Sequence, residues 1–197
     1  MTMRALVLDG SREGDTRAPA VLQALLEELA RRGWEVEALE LRRLDVAPCV
    51  GCFGCWVRTP GLCVIDDAGR DVARRAARCD LMAFLTRVTF GGCSSELKKA
   101  VDRLIPNISP FFTKVRGEVH HKLRYEGAPR LLAVGLLPGP DAGPVAEAEG
   151  IFRTLVSRNA VNARSPAHAA VTVQDGQGPD AVRASIAGAL DGMEAGT

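Results

Sequence analysis

Short apolar runs alternate along this chain with longer amphipathic ones. Arg4 to Leu8 (RALVL) has the length and composition of a buried strand. Ala18 to Arg32 follows with apolar residues at Val21, Leu22, Leu25, Leu26 and Leu29, the spacing of one helix face, and Gly33 stands where a helix-ending residue belongs. Trp34 to Leu41 (WEVEALEL) alternates apolar and polar positions and predicts a strand with one partly exposed face. Asp66 or Asp67 can cap a helix running to about Arg78; Asp80 to Thr86 then reads as a buried strand, and Ser94 to Leu104 as a helix capped by Ser94 or Ser95. The stretch 105–129, with Pro106, Pro110 and the pair His120 and His121, keeps neither period and is expected to be an irregular surface excursion or an oligomer contact. A strand at Arg130 to Leu136, a helix at Val145 to Arg158, a strand at His168 to Val173 and a helix at Pro179 to Met193 complete the pattern. Five strands with intervening helices predict an α/β fold, a doubly wound five-stranded parallel sheet with helices on both faces, in a single domain spanning 1–197. A sheet of that kind binds its ligand beyond the carboxyl ends of the strands, near the point where strand order reverses.

Charge narrows the partners. Lys and Arg number 25 against 24 Asp and Glu, so no net field draws the chain to nucleic acid or to an anionic membrane. Arginines such as Arg31, Arg32, Arg42, Arg43, Arg74 and Arg75 are scattered over helix-like faces and read as solvated surface. The chain enters a strand without a leader-like apolar segment, and no run approaches the ~18 apolar residues of a membrane span. A soluble, cytoplasmic protein acting on a small molecule or another protein is expected. In a reducing compartment the six cysteines are not expected to form a disulfide framework, and four of them crowd into Cys49 to Cys63.

Three segments carry candidate chemistry. Gly10-Ser11-Arg12-Glu13-Gly14-Asp15-Thr16 joins the first strand to the first helix, where backbone N–H groups and the helix dipole can meet an anion and Ser11 and Thr16 add hydroxyls. A plain Gly/Ser/Asp turn has the same composition, but the Ser-x-x-Gly-x-Thr spacing resembles the phosphate loop of flavodoxin-like proteins. Glu13 and Asp15 are expected to point outward or to be offset by Arg12 and Arg17. The second segment, Thr86-Arg87-Val88-Thr89-Phe90-Gly91-Gly92-Cys93-Ser94-Ser95-Glu96-Leu97-Lys98, leaves the third strand on the neighbouring strand end, where glycines and backbone amides could border a flat ring. The third is Cys49-x-x-Cys52-x-x-Cys55 with Cys63 returning after Pro60-Gly61. Four thiolates at this spacing can hold an iron–sulfur cluster; tetrahedral zinc and a dithiol switch are the alternatives. Cys79 is expected to be a small core residue, and Cys93 lies in the proposed ring-binding loop. The adjacent His120 and His121 are poorly placed to share one metal.

The segment Pro48 to Asp67 (PCVGCFGCWVRTPGLCVIDD) resembles the cysteine loop of the iron–sulfur flavoproteins within the NADPH-dependent FMN reductase superfamily. That resemblance runs from the first strand through Leu104 and more weakly to the last strand. It implies a flavodoxin-like fold, with FMN held by Gly10, Ser11, Arg12, Asp15 and Thr16 and by Thr86, Arg87, Val88, Thr89, Phe90 and Gly91. It further implies a [4Fe–4S] cluster on Cys49, Cys52, Cys55 and Cys63, NAD(P)H as a candidate electron donor, and a homodimer or homotetramer. The activity implied is a flavin oxidoreductase passing electrons between a small-molecule or protein donor and acceptor. A cluster-free NAD(P)H-dependent quinone, nitro-compound or flavin reductase is the alternative on the same fold, and an electron carrier or thiol redox sensor the alternative of another class.

Overall fold

The computed structural model describes residues 2–115, 117–139 and 144–195. Its elements in chain order are β1 (Arg4–Asp9), α1 (Ala18–Arg31), β2 (Glu35–Glu40), α2 (Gly54–Val57), α3 (Ala68–Ala76), β3 (Leu81–Arg87), α4 (Ser95–Asp102), β4 (Ile108–Val115), β5 (Glu118–Leu123), β6 (Arg130–Leu136), α5 (Val145–Asn162), β7 (His168–Val173) and α6 (Pro179–Ala195). Every strand and long helix predicted from the hydrophobic pattern is present. The expected domain limits reach Met1, Gly196 and Thr197, which lie outside the described residues.

Five parallel strands form the central sheet in the order β2-β1-β3-β6-β7. The inner strands β3 and β6 are buried almost throughout, as their continuous apolar runs require, whereas the edge strand β2 carries exposed Glu35 and Glu37. Successive side chains on each strand enter opposite layers. Ala5 and Val7 of β1, Ala83 and Leu85 of β3, and Val134 of β6 meet Leu25 and Leu29 of α1 and Ile186 and Leu190 of α6. On the other face Leu6, Leu8, Met82, Phe84 and Ala133 pack with Val72 of α3, Leu97 of α4, and Phe152 and Val156 of α5. This is the doubly wound sheet, with helices on both faces. No helix among the described residues is long and apolar enough to cross a membrane.

One expectation changes. The stretch 105–129 is not irregular throughout: after a single 3-10 turn at Ile105–Asn107, β4 and β5 pair as an antiparallel hairpin outside the main sheet. Its register shifts between Ile108 and Phe112, where Pro110 has no N–H to give to the ladder. That interruption hides the period-two signal in the sequence. The hairpin leans on the cysteine loop. The Trp56 indole N–H donates to the Ile105 and Ile108 carbonyls (3.2 and 3.0 Å), and its ring meets that of His121 at 4.9 Å.

Candidate functional site

The β1–α1 loop is anchored from below and open above. The Gly10 N–H bonds the Leu85 carbonyl at the end of β3 (2.8 Å), and the Ser94 hydroxyl, which also caps α4, donates to the Gly10 carbonyl (2.6 Å). A Cβ on Gly10 would stand 2.6 Å from Leu97 Cβ, so only glycine lets the loop lie this close to α4. Beyond it, the amides of Arg12, Glu13, Gly14 and Thr16 find no acceptor among the described residues. The first turn of α1 has no side-chain cap either. Glu13 faces solvent as expected. Asp15 does not: its Oδ1 accepts the Arg17 N–H (3.3 Å), while its Oδ2 is buried without a partner. Arg17 Nη2 donates to the Leu137 carbonyl (2.7 Å), and Nη1 is buried without a hydrogen bond, 3.9 Å from Asp175. Arg12 donates to the Ser95 hydroxyl (2.9 Å) and not to either loop carboxylate.

Hydrophobic pattern alone did not single out Asp9 or Arg42. Asp9 ends β1 at 2% exposure, and its carboxylate accepts the Ser11 N–H (2.9 Å) and Arg42 Nη1 (3.0 Å). Arg42 Nη1 also reaches the Ser11 hydroxyl (2.9 Å), and its Nη2 bonds Glu40. A guanidinium expected in solvent is thus bound to the loop. An acidic residue ending an otherwise apolar strand was the available signal.

At the neighbouring strand end, Thr89-Phe90-Gly91-Gly92 makes a tight turn closed by reciprocal Thr89–Gly92 backbone bonds (3.0 and 2.8 Å). Phe90 and Gly91 have φ of 50° and 75°, the left-handed pair of a type I′ turn. The turn thrusts Phe90 into solvent at 100% exposure. Arg87 is exposed; its carbonyl accepts from the Thr86 hydroxyl (3.1 Å), and its guanidinium has no hydrogen-bond or ion-pair partner among the described residues. Thr86 and Val88 face inward. Thr86 Oγ1 accepts the Ser94 N–H (2.9 Å), and Val88 sits in the core with its N–H on Leu136. These two hold the loop from beneath, while Arg87, Thr89 and Phe90 offer its open surface.

Cys49, Cys52, Cys55 and Cys63 line one cavity of ≈ 40 Å³, together with Asp102 and Arg103. Left-handed backbone at Gly51 and Phe53 folds the loop back into the short α2, which carries Cys55 inward. Phe53 stacks on Trp56 at 5.1 Å. Burial pushes the Cys55 thiol up, and neighbouring Cys63, Cys49 and Cys52 act in the same direction. Among the described residues, no three of His, Cys, Asp and Glu close on a point that could hold a metal ion. The donor set suits a thiolate-held cluster in its chemistry, with four sulfurs and the one carboxylate lining the cavity, Asp102, engaged by Lys98. Cys79 and Cys93 pack against the core instead, and burial raises their thiols to about 12 and about 11. His120 bonds Glu118 (3.0 Å) and His121 the Ser109 carbonyl (2.8 Å), on opposite faces of β5.

Beneath the cysteine loop lies a buried ion pair that sequence pattern did not reveal. Arg103, 1% exposed, meets both oxygens of Asp67 (2.8 and 2.6 Å). Burial works against both charges. Arg103 and the amides of Ala47 and Gly69 nevertheless hold the Asp67 carboxyl below its usual range, while Asp67 and Cys63 hold Arg103 above its own.

Residues 3–124 match the family model described as NADPH-dependent FMN reductase. An iron–sulfur flavoprotein of Methanocaldococcus jannaschii is 28% identical over 104 residues, 53% of this chain and 53% of that protein. One from Methanosarcina thermophila is 27% identical over 103 residues, 52% and 53% of the two chains. The chain spans about half the length of these curated relatives. Among solved structures, the NAD(P)H:quinone oxidoreductase from Methanothermobacter marburgensis superposes with a TM-score of 0.65 at 15% identity, covering 100% of this chain and 96% of that one. An FMN-dependent NADH-azoreductase from Bacillus anthracis, solved with FMN, gives 0.63 at 13% identity over 99% and 98%. At such identities the likeness is one of fold, and it is the flavodoxin-like fold. With a family model matching well over half of its length, the chain belongs to the NADPH-dependent FMN reductase family.

Proposed function

We propose that the protein is an FMN-dependent oxidoreductase, acting as one domain over 1–197. In this reading it draws electrons from NAD(P)H or a protein donor and delivers them to a small-molecule or protein acceptor. The observation that carries it is the β1–α1 loop. Unpaired amides and an uncapped helix end meet there and suit a terminal phosphate, while the unpartnered Asp15 Oδ2 can accept from a ligand hydroxyl. FMN, when bound, supplies the hydride and single-electron chemistry. The chain's own residues bind and orient. Gly10 to Thr16 would grip the phosphate, and Arg42 would steady Ser11 beneath it. The Thr89–Gly92 turn would border the ring, with Phe90 as a lid over one edge. Arg87 would set a cation where negative charge gathers on reduction.

The finer part of the reading gives Cys49, Cys52, Cys55 and Cys63 a [4Fe–4S] cluster. It is supported by the shared cavity and by the names of the curated relatives. The cluster-free reductase rests on a different observation, that the loop as it stands does not close on one ion. Exposed Phe111, Phe112 and Val119 on the hairpin support a homodimer or homotetramer, and six free cysteines suit a reducing cytoplasm. The deciding experiment is anaerobic purification followed by an absorption spectrum, chromatography of the released ligand, and iron and acid-labile sulfide counts. Stoichiometric FMN with iron and sulfide supports the full reading, and FMN with neither leaves the cluster-free reductase. Stoichiometric FAD, or no flavin after reconstitution, refutes it.

A further inference from the structure

The two stems of the cysteine loop are tied together by one guanidinium. Arg103 closes α4, and its side chain is 1% exposed. Nη1 donates to the Ala47 carbonyl (2.8 Å) and to Asp67 Oδ2 (2.8 Å), while Nη2 donates to Asp67 Oδ1 (2.6 Å) and to the Ile65 carbonyl (3.2 Å). Asp67 completes the tie by accepting the N–H groups of Ala47 and Gly69, each at 2.9 Å. Ala47 stands two residues before Cys49, and Ile65 two residues after Cys63. The pair therefore closes the loop at the points where it leaves and rejoins the body. Space is reserved for it: a Cβ on Gly69 would come within 2.9 Å of the Arg103 guanidinium carbon.

Arg103 also lines the cavity that the four thiols share. Arg103 is the only cation among the residues lining the four-cysteine cavity, and its Nε is buried without an acceptor. The other charged group lining the cavity, Asp102, has its carboxylate on Lys98 at 2.6 Å. Four thiolates brought together repel one another, and a buried donor beside them opposes that repulsion. A lysine could carry the charge but could not span two carbonyls and both carboxylate oxygens with one planar group.

We propose that Arg103, oriented by Asp67, is the positioning residue of the four-cysteine site: it holds the stems so that Cys49 and Cys63 are presented together and sets a buried cation beside the thiolates. This rests on reading the four cysteines as one thiolate donor set. Groups that orient metal ligands from behind typically change metal affinity by about 10–100-fold. The test uses metal-free, FMN-loaded full chain titrated anaerobically with Co(II) alone, read by the thiolate-to-cobalt absorption, for wild type, Arg103→Lys and Arg103→Met. Alkylation rates of Cys49 and Cys63 in the metal-free proteins and the FMN affinity are measured alongside. Expected are wild-type uptake of one Co(II), affinity about tenfold lower in Arg103→Lys and about 100-fold lower in Arg103→Met. FMN affinity should stay unchanged, and both cysteines should alkylate faster in the variants. Arg103→Lys, which keeps the charge, decides the matter if Arg103→Met does not fold. Wild-type affinity and alkylation rates in a folded Arg103→Lys overturn the proposal. If wild type itself takes up no Co(II) on thiolates, the cysteine-site reading fails separately. Arg103 is then judged on alkylation alone, and unchanged rates overturn it.

Discussion

Gly10 offers a sharp test of how the body of the fold supports the site. Gly10→Ala adds one methyl group at a position where its Cβ meets Leu97 Cβ at 2.6 Å, Ser94 Oγ at 2.9 Å and Leu97 N at 3.1 Å. Carbon atoms pack at about 3.5–4.0 Å, so a relief of about 1 Å is needed. Two of the three obstructing atoms belong to the backbone and Cβ of α4, which cannot rotate away. Either the helix or the β1–α1 loop must move. Overpacking of this kind costs about 1–3 kcal/mol. Moving apart also weakens the bond from Ser94 Oγ to the Gly10 carbonyl, worth about 1 kcal/mol. Gly10 has no left-handed backbone, so alanine's restriction of the unfolded chain offsets about 0.4–1 kcal/mol. The net expectation is a loss of about 1–3 kcal/mol, read as a lower urea midpoint at unchanged slope. FMN affinity should fall with it, because the loop that carries the unpaired amides is the part displaced. An unchanged or raised midpoint would show that α4 yields freely, and the close approach at Gly10 would then not be what sets the loop.

Further expectations concern charge and thiols. Arg31 and Arg32 hold the Glu28 carboxyl, 1% exposed, below its ordinary value, so its stabilising contribution is complete above about pH 4.5 and fades as pH falls through the depressed folded value. Glu28→Gln should therefore flatten the acid limb of the urea-midpoint profile below pH 4.5, and parallel profiles would refute this. At pH 8 iodoacetamide should modify Cys49 and Cys52 in native metal-free protein, with Cys79 and Cys93 spared by burial and by thiols near 12 and 11. Peptide mass spectrometry showing Cys93 modified as fast as Cys49 would contradict that. Arg87→Ala should lower the flavin midpoint potential. A surface charge interaction of up to about 1 kcal/mol corresponds to about 20 mV for a two-electron couple. An unchanged potential with intact FMN binding would turn Arg87 toward solvent or a subunit contact.

Local chemistry was enough to determine the elements of the main sheet, their order and the helices that cover its two faces. Val21, Leu25 and Leu29 recur at the helical period, and the apolar runs in β3 and β6 are too continuous for an exposed strand, so both declare themselves within a few residues. Ser94 and Asp67 could be read as caps, because capping is a contact between near neighbours. The cysteine spacing likewise announced one thiol-rich loop. What lay beyond local chemistry was which side of each loop faces the ligand and which distant charge comes to it. Thr86 and Val88 belong to the same short segment as Arg87 and Thr89, yet only the packing of α4 and β6 turns the first two inward. Arg42 looks like any solvated arginine until β2 lies beside β1 and carries it to Asp9, 33 positions away. Arg103 and Asp67 sit 36 positions apart and become partners only when α3 and α4 share one face of the sheet. The hairpin at 108–123 escaped for a related reason, since Pro110 breaks the alternation that would betray it and cross-strand pairing supplies the rest. Periodicity records how each residue relates to its neighbours in the chain, whereas a buried charge is stable only beside a partner that the fold delivers.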